Sequence, residues 1–166
     1  MNIAFSLLLP RDELSVLAVR RVCGNALSDL GVHPDCGDDI ELALTEACTN
    51  VLKHARGSSD EYEVSLEITE STCDIRVEDK GTGFSSDDIG DELVNETAEG
   101  GRGIHLMKAL VDKVSFVSKP RSGTVVHLEK ELVCEEGSVL ARLCDCSPKG
   151  RGSLSSSEGR GSLRTG

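Results

Sequence analysis

Three short segments of this sequence carry residue types whose spacing suits chemistry on a charged ligand. The first is Glu46-Ala47-Cys48-Thr49-Asn50. On a helix, residues four apart lie on the same side, one turn from each other, which sets a carboxylate beside a carboxamide. An amide oxygen is a hard, neutral donor suited to Mg²⁺, an ion that keeps most of its waters and takes few protein ligands. A carboxylate one turn away can accept a proton from an attacking hydroxyl or water. Taken alone, Glu and Asn at this spacing more commonly form a solvated helix face. The second segment is Asp79-Lys80-Gly81-Thr82-Gly83-Phe84, directly after a strand-like run. Its glycines permit backbone angles and close ligand approach that side chains would block, and a carboxylate at a strand end can accept a hydrogen bond from an exocyclic amine. An ordinary turn has the same composition. The third is Gly100-Gly101-Arg102-Gly103, opening a helix at Ile104. Free amides at a helix N-terminus attract anions, glycines let a phosphate come close, and Arg102 adds a cation. A flexible hinge before a helix is the bland alternative.

The elements that must position these segments can be read from periodicity. A short edge strand, Ala4–Leu9, ends at Pro10, which cannot donate to a ladder. A helix is predicted from about Asp12 to Leu30, with Leu14, Ala18, Val22, Ala26 and Leu30 along one face and Gly31 as its stop. After the turn His33-Pro34-Asp35, a second helix is predicted from about Asp39 to Ala55, capped by Asp38 or its neighbours, with Ile40, Ala43, Leu44, Ala47 and Val51 facing inward. Glu46, Asn50 and His54 form another stripe on that helix. Alternation then predicts strands at Glu61–Thr69 and Cys73–Glu78. The run from Ser85 to Gly101 is acidic and weakly periodic, a loop or lid. Helical character returns at Gly103–Val111, and strands follow at Lys113–Ser118 and Thr124–Leu132 around a Pro120 and Gly123 turn. This order predicts an α+β fold, a two-layer sandwich with helices on one face of a mixed, mainly antiparallel sheet. One domain over residues 1–133 accounts for all of it. Residues 134–166, rich in Gly, Ser and Arg towards the end, are expected to be a disordered tail.

Composition narrows the function. The 166 residues suit one domain, and the net charge of −11 comes from a body at −14 and a tail at +3 after Cys146. Such a body repels phosphate backbones, so direct nucleic-acid binding is not expected. A polyphosphate ligand would have to be held by local amides, a metal ion and a few placed cations. The seven cysteines are odd in number, and several fall in apolar periodic segments. They read as reduced thiols. Cys144 and Cys146 lack a second ligand pair at metal spacing. With neither a leader-like start nor a membrane-length apolar run, the protein is expected to be soluble and cytoplasmic.

Walker and Rossmann fingerprints are absent. The order of the three segments instead resembles the N, G1 and G2 boxes of the GHKL superfamily, which includes gyrase, heat-shock chaperone, histidine kinase and mismatch-repair ATPases. Glu46-Ala47 with Thr49-Asn50 and His54-Ala55, then Asp79, Gly81, Gly83 and Phe84, then Gly101-Arg102-Gly103-Ile104 with Leu106-Met107, and Gly123-Thr124-Val125-Val126 with Leu128 and Lys130, look most like the bacterial anti-sigma-factor serine kinases. The resemblance covers residues 4–133. It implies a Bergerat-type fold, ATP and Mg²⁺ as cofactors, Asn50 as metal ligand, Glu46 as general base, and Asp79 as acceptor for the adenine amine. By the same resemblance, Gly81 and Gly83 shape the nucleotide pocket, Gly101, Arg102 and Gly103 lie at the phosphates, Ile104 belongs to the nucleotide-binding set, and Thr124 completes the adenine end. His54 joins the nucleotide-binding set, and Lys53, one residue before it, is placed either to reach a phosphate or to stand solvated. The implied partners are a sigma factor and a small antagonist protein that receives the phosphoryl group, and a homodimer is implied as well.

Three other readings compete. A histidine-kinase catalytic domain is the nearest in fold, but residues 1–30 supply one strand and one helix and no phospho-accepting dimerisation helix. A non-catalytic module could bind ATP and merely sequester a partner. An ATP-driven conformational cycle would need further domains to transmit it.

Overall fold

The computed structural model describes residues 2–54, 60–79, 101–119 and 123–143. Strand β1 is Ile3–Pro10, and helix α1, Glu13–Leu30, starts at Asp12, whose side chain accepts from the Leu14 amide. Gly31 ends α1 in the left-handed region at φ 78°, and the Gly31 and Val32 amides close back on Ser28 and Leu27. Only glycine takes that conformation without a steric penalty.

Helix α2 spans Pro34–His54. It begins a full turn before the predicted start, because proline suits the first helical position, where no amide is needed. The inward residues of α2 are the predicted ones: Ile40, Ala43, Leu44, Ala47 and Val51 are all buried. The predicted face of α1 is wrong. Leu14 is 71% exposed and Val22 43%, whereas Val16, Val19, Cys23 and Leu27 are buried. A strict spacing of four drifts about 40° per step around a helix of 3.6 residues per turn, so a stripe running from Leu14 to Leu30 cannot stay on one side. The mixed steps of three and four through Val16, Val19, Cys23 and Leu27 do.

Strands β2, Glu61–Ile68, and β3, Thr72–Asp79, alternate as predicted, with Val64, Leu66, Ile75 and Val77 turned to the helices. Helix α3 is Gly101–Leu110; strands β4, Lys113–Lys119, and β5, Gly123–Glu131, complete the sheet. The strand order is β1-β2-β3-β5-β4. Every described pairing is antiparallel, so the parallel component of the predicted mixed sheet is not found among the described residues. The two-layer arrangement stands. One face of the sheet carries the core. The other is polar and includes a His127–Asp74 pair at 3.2 Å.

Order continues past the predicted boundary at residue 133. Val32 and Cys134 form an antiparallel bridge, the His33 amide donates to the Val133 carbonyl at 2.7 Å, and a short helix α4, Val139–Leu143, buries Leu140 completely. The expectation of a disordered tail therefore does not hold for residues 134–143; Cys144 and Cys146 lie outside the described residues. Cys23, Cys36, Cys48 and Cys73 are buried thiols in the core, as the reduced reading expects. Burial pushes the Cys23 and Cys48 thiols up to about 12, and the Cys73 thiol is raised too. They are poor nucleophiles and act as small apolar side chains.

Candidate functional site

Glu46 and Asn50 leave the core-facing stripe of α2 and are partly exposed along its neighbouring side. The backbone beneath them is regular, and the hydroxyls of Thr45 and Thr49 are satisfied by the carbonyls one turn back, at 2.7 and 2.8 Å. Against this side sits the first turn of α3. A Cβ placed on Gly103 would lie 2.8 Å from Glu46 Oε2, 3.6 Å from Asn50 Oδ1 and 3.8 Å from Asn50 Nδ2. A side chain at this position would push the Glu46 carboxylate aside. The first and third sequence segments, more than fifty residues apart, thus meet at one point.

The position of α3 over α2 is fixed from its other end. Lys130 on β5 donates to the Leu110 carbonyl at 2.6 Å and to Asp39 Oδ2 at 3.0 Å, joining the last turn of α3 to the first turns of α2. A cation there satisfies a terminal carbonyl and complements the negative end of the helix dipole. Met107 is fully buried and Ile104 packs against the core, so α3 cannot roll about its axis. Its first turn holds no acidic residue. Arg102 is exposed, as is Lys53, one turn beyond Asn50.

Asp79 ends β3, and its carboxylate is only 4% exposed. The Arg11 guanidinium, from the turn between β1 and α1, donates to Asp79 Oδ1. Asp79 stands opposite Tyr62 in the β2–β3 register, and the Tyr62 hydroxyl meets Ser15 Oγ at 2.8 Å while Ser15 donates to the Asp12 carbonyl at 2.6 Å. Burial pushes the Tyr62 phenol up to about 12, so it remains a neutral hydrogen-bonding group. Sequence reasoning found Asp79 but neither Arg11 nor Tyr62. For Arg11 the available signal was a cation placed directly after the strand-ending Pro10.

The remaining predicted residues are placed less completely. His54 and Gly101 are seen as backbone at the end of α2 and the start of α3, and Thr124 as backbone of β5 opposite Ser118. Gly81, Gly83 and the predicted lid from Ser85 lie outside the described residues. Among the described residues, no three His, Cys, Asp or Glu side chains gather to hold a metal ion. A Mg²⁺ bound with ATP does not need such a cluster, since phosphate oxygens and water fill most of its octahedron. Glu46 Oε2 and Asn50 Oδ1 are hard oxygens converging on the space in front of Gly103. The donor set fits.

A helical pair carrying a carboxylate and a carboxamide under a glycine-opened helix, on an antiparallel sheet, is the arrangement of a nucleotide-binding domain. The sequence matches the family of the histidine kinase-like ATPase domain over residues 9–130. It is 32% identical to the serine-protein kinase RsbW of Bacillus velezensis over 75% of this chain and 82% of that protein. It is also 32% identical to RsbW of Bacillus subtilis over 75% and 82%, and 33% identical to RsbW of Listeria monocytogenes serotype 4a over 70% and 80%. The chain belongs to the histidine kinase-like ATPase domain family and, within it, to the serine-protein kinases of the RsbW group. No helix of the described residues is long and apolar enough to cross a membrane.

Proposed function

We propose that this chain transfers the γ-phosphoryl group of ATP to a serine or threonine hydroxyl of a small antagonist protein, and that it also binds a sigma factor, acting as a cytoplasmic, dimeric anti-sigma factor. The observation that carries the assignment of the site is the meeting of Glu46, Asn50 and Gly103. In this reading Asn50 holds Mg²⁺, which when bound neutralises charge on the phosphate oxygens. Glu46 accepts the hydroxyl proton as the serine oxygen attacks phosphorus and the bond to the ADP oxygen breaks. The amides of Gly101, Arg102 and Gly103 at the start of α3 hold the phosphates, aided by the Arg102 and Lys53 side chains. Asp79 accepts from the adenine amine, with Gly81, Gly83, Ile104 and Thr124 shaping the rest of the pocket and His54 near its edge. Positioning and electrostatics provide most of the rate, as expected for phosphoryl transfer.

The test is incubation of the full chain with γ-labelled ATP, Mg²⁺ and a candidate antagonist. Label on a partner serine or threonine is the expected outcome. A partner that is bound but never labelled would instead make the chain a sequestering module.

A further inference from the structure

Arg11 lies in none of the segments that carry the nucleotide-binding pattern, yet it provides the cation beside Asp79. Its place is set by the backbone: the Arg11 amide donates to the Asp60 carbonyl at 2.8 Å, where β1 ends against the start of β2. From there the guanidinium runs inward until it is only 15% exposed. A carboxylate as buried as that of Asp79 is costly without a charged partner. A carboxylate has acceptor positions on both of its oxygens, and the Arg11 guanidinium engages Asp79 through Oδ1.

We infer that Arg11 is a positioning residue for base recognition: it pins the Asp79 carboxylate by charge and direction, so that the site accepts a 6-amino purine and rejects a 6-oxo purine. This rests on the reading of Asp79 as the adenine acceptor. A carboxylate fixed in place attracts the N–H of a 6-amino group and repels the oxygen of a 6-oxo group. Freed from Arg11, the same side chain can rotate away or bond elsewhere, and the selectivity goes with it. The contact also ties the turn before α1 to the sheet, so a purely structural role must be separated from this one. A structural role weakens all nucleotides alike. A positioning role weakens only those whose 6-substituent reads Asp79.

The experiment measures binding of ATP, GTP and purine riboside triphosphate, which lacks the 6-amino group, to the full chain and to Arg11→Met, Arg11→Gln, Arg11→Lys and Asp79→Asn. Both neutral Arg11 variants are expected to weaken ATP about tenfold and to leave purine riboside triphosphate nearly unchanged, so that the preference for ATP over either analogue collapses. Arg11→Lys restores part of the preference. In the Asp79→Asn background, Arg11→Met should have no further effect on that preference. Equal loss for all three nucleotides, or a preference that survives in whichever neutral variant folds, would overturn the inference while leaving Asp79 as acceptor. If Asp79→Asn alone keeps the parental preference, the reading of Asp79 fails first and the inference falls with it.

Discussion

At the junction of α2 and α3, partly exposed oxygens converge on a gap kept open by Gly103; at the turn between β1 and α1, buried polar groups close on one another. The two regions differ in what completes them. Glu46 and Asn50 are arranged for something that arrives from outside. Tyr62 and Ser15 are satisfied within the chain, through each other and the Asp12 carbonyl, and Asp79, the proposed adenine acceptor, is held there by Arg11. A site of the first kind tolerates substitution without unfolding, since its side chains leave the core, but it loses activity sharply. A site of the second kind should couple every change to stability.

Substitutions sharpen that contrast, beginning with the largest effect. Asn50→Ala should lower Mg²⁺-dependent phosphoryl transfer by on the order of 1000-fold, with an unchanged thermal midpoint; transfer at the parental rate would remove Asn50 from the metal role. Glu46→Ala should cost about 100-fold in transfer, as loss of a general base does, while ATP affinity measured by titration is retained. Gly103→Ala should slow transfer roughly tenfold, because its methyl group displaces the Glu46 carboxylate by a fraction of an ångström and reacting groups tolerate little misplacement. Its melting curve should match the parent. Loss of stability there would mean that the junction is packing and not site.

On the closed side, Tyr62→Phe should destabilise the fold by about 1 kcal/mol in denaturant titration, the worth of one buried hydrogen bond, with catalysis close to parental. The last effect is the smallest at neutral pH, where it is absent, and emerges only in base. The Cys23 and Cys48 thiols titrate at about 12 in the folded chain against an ordinary 9.0. The folded state therefore holds these protons more tightly than the unfolded state, so their contribution is complete below pH 9 and is lost as pH rises towards 12. Denaturant midpoints should fall across that window, and less so in Cys23→Ala.

Local periodicity made much of this molecule legible. The inward face of α2 and the alternation of β2 and β3 follow from repeats of 3.6 and 2 residues, and the order of the Glu46, Asp79 and Gly103 segments pointed to the site. The structure then supplied the meeting of Glu46, Asn50 and Gly103, which no spacing within either helix reveals. Arg11 was not legible because its partner stands 68 residues away and is reached only through the β1–β2 and β2–β3 registers. The face of α1 was misread because its outer stripe is as apolar as its inner one: Leu14, Leu17 and Val22 are exposed. Residues 134–143 were missed because a single buried leucine in a five-residue helix gives no periodicity to detect.

That leucine has a consequence for how the chain is made. Leu140 is completely buried in the core, next to Ser138, which lies against Gly31 in the turn joining α1 and α2, and among the described residues it is the last core side chain to be synthesised. Synthesis proceeds at about 5–20 residues per second, so the helical pair waits several seconds, with the segments that face the nucleotide already emerged, before its final contact is available. Release of a chain shortened at β5 would leave that wait permanent, a folding lesion in a molecule whose site residues are all present.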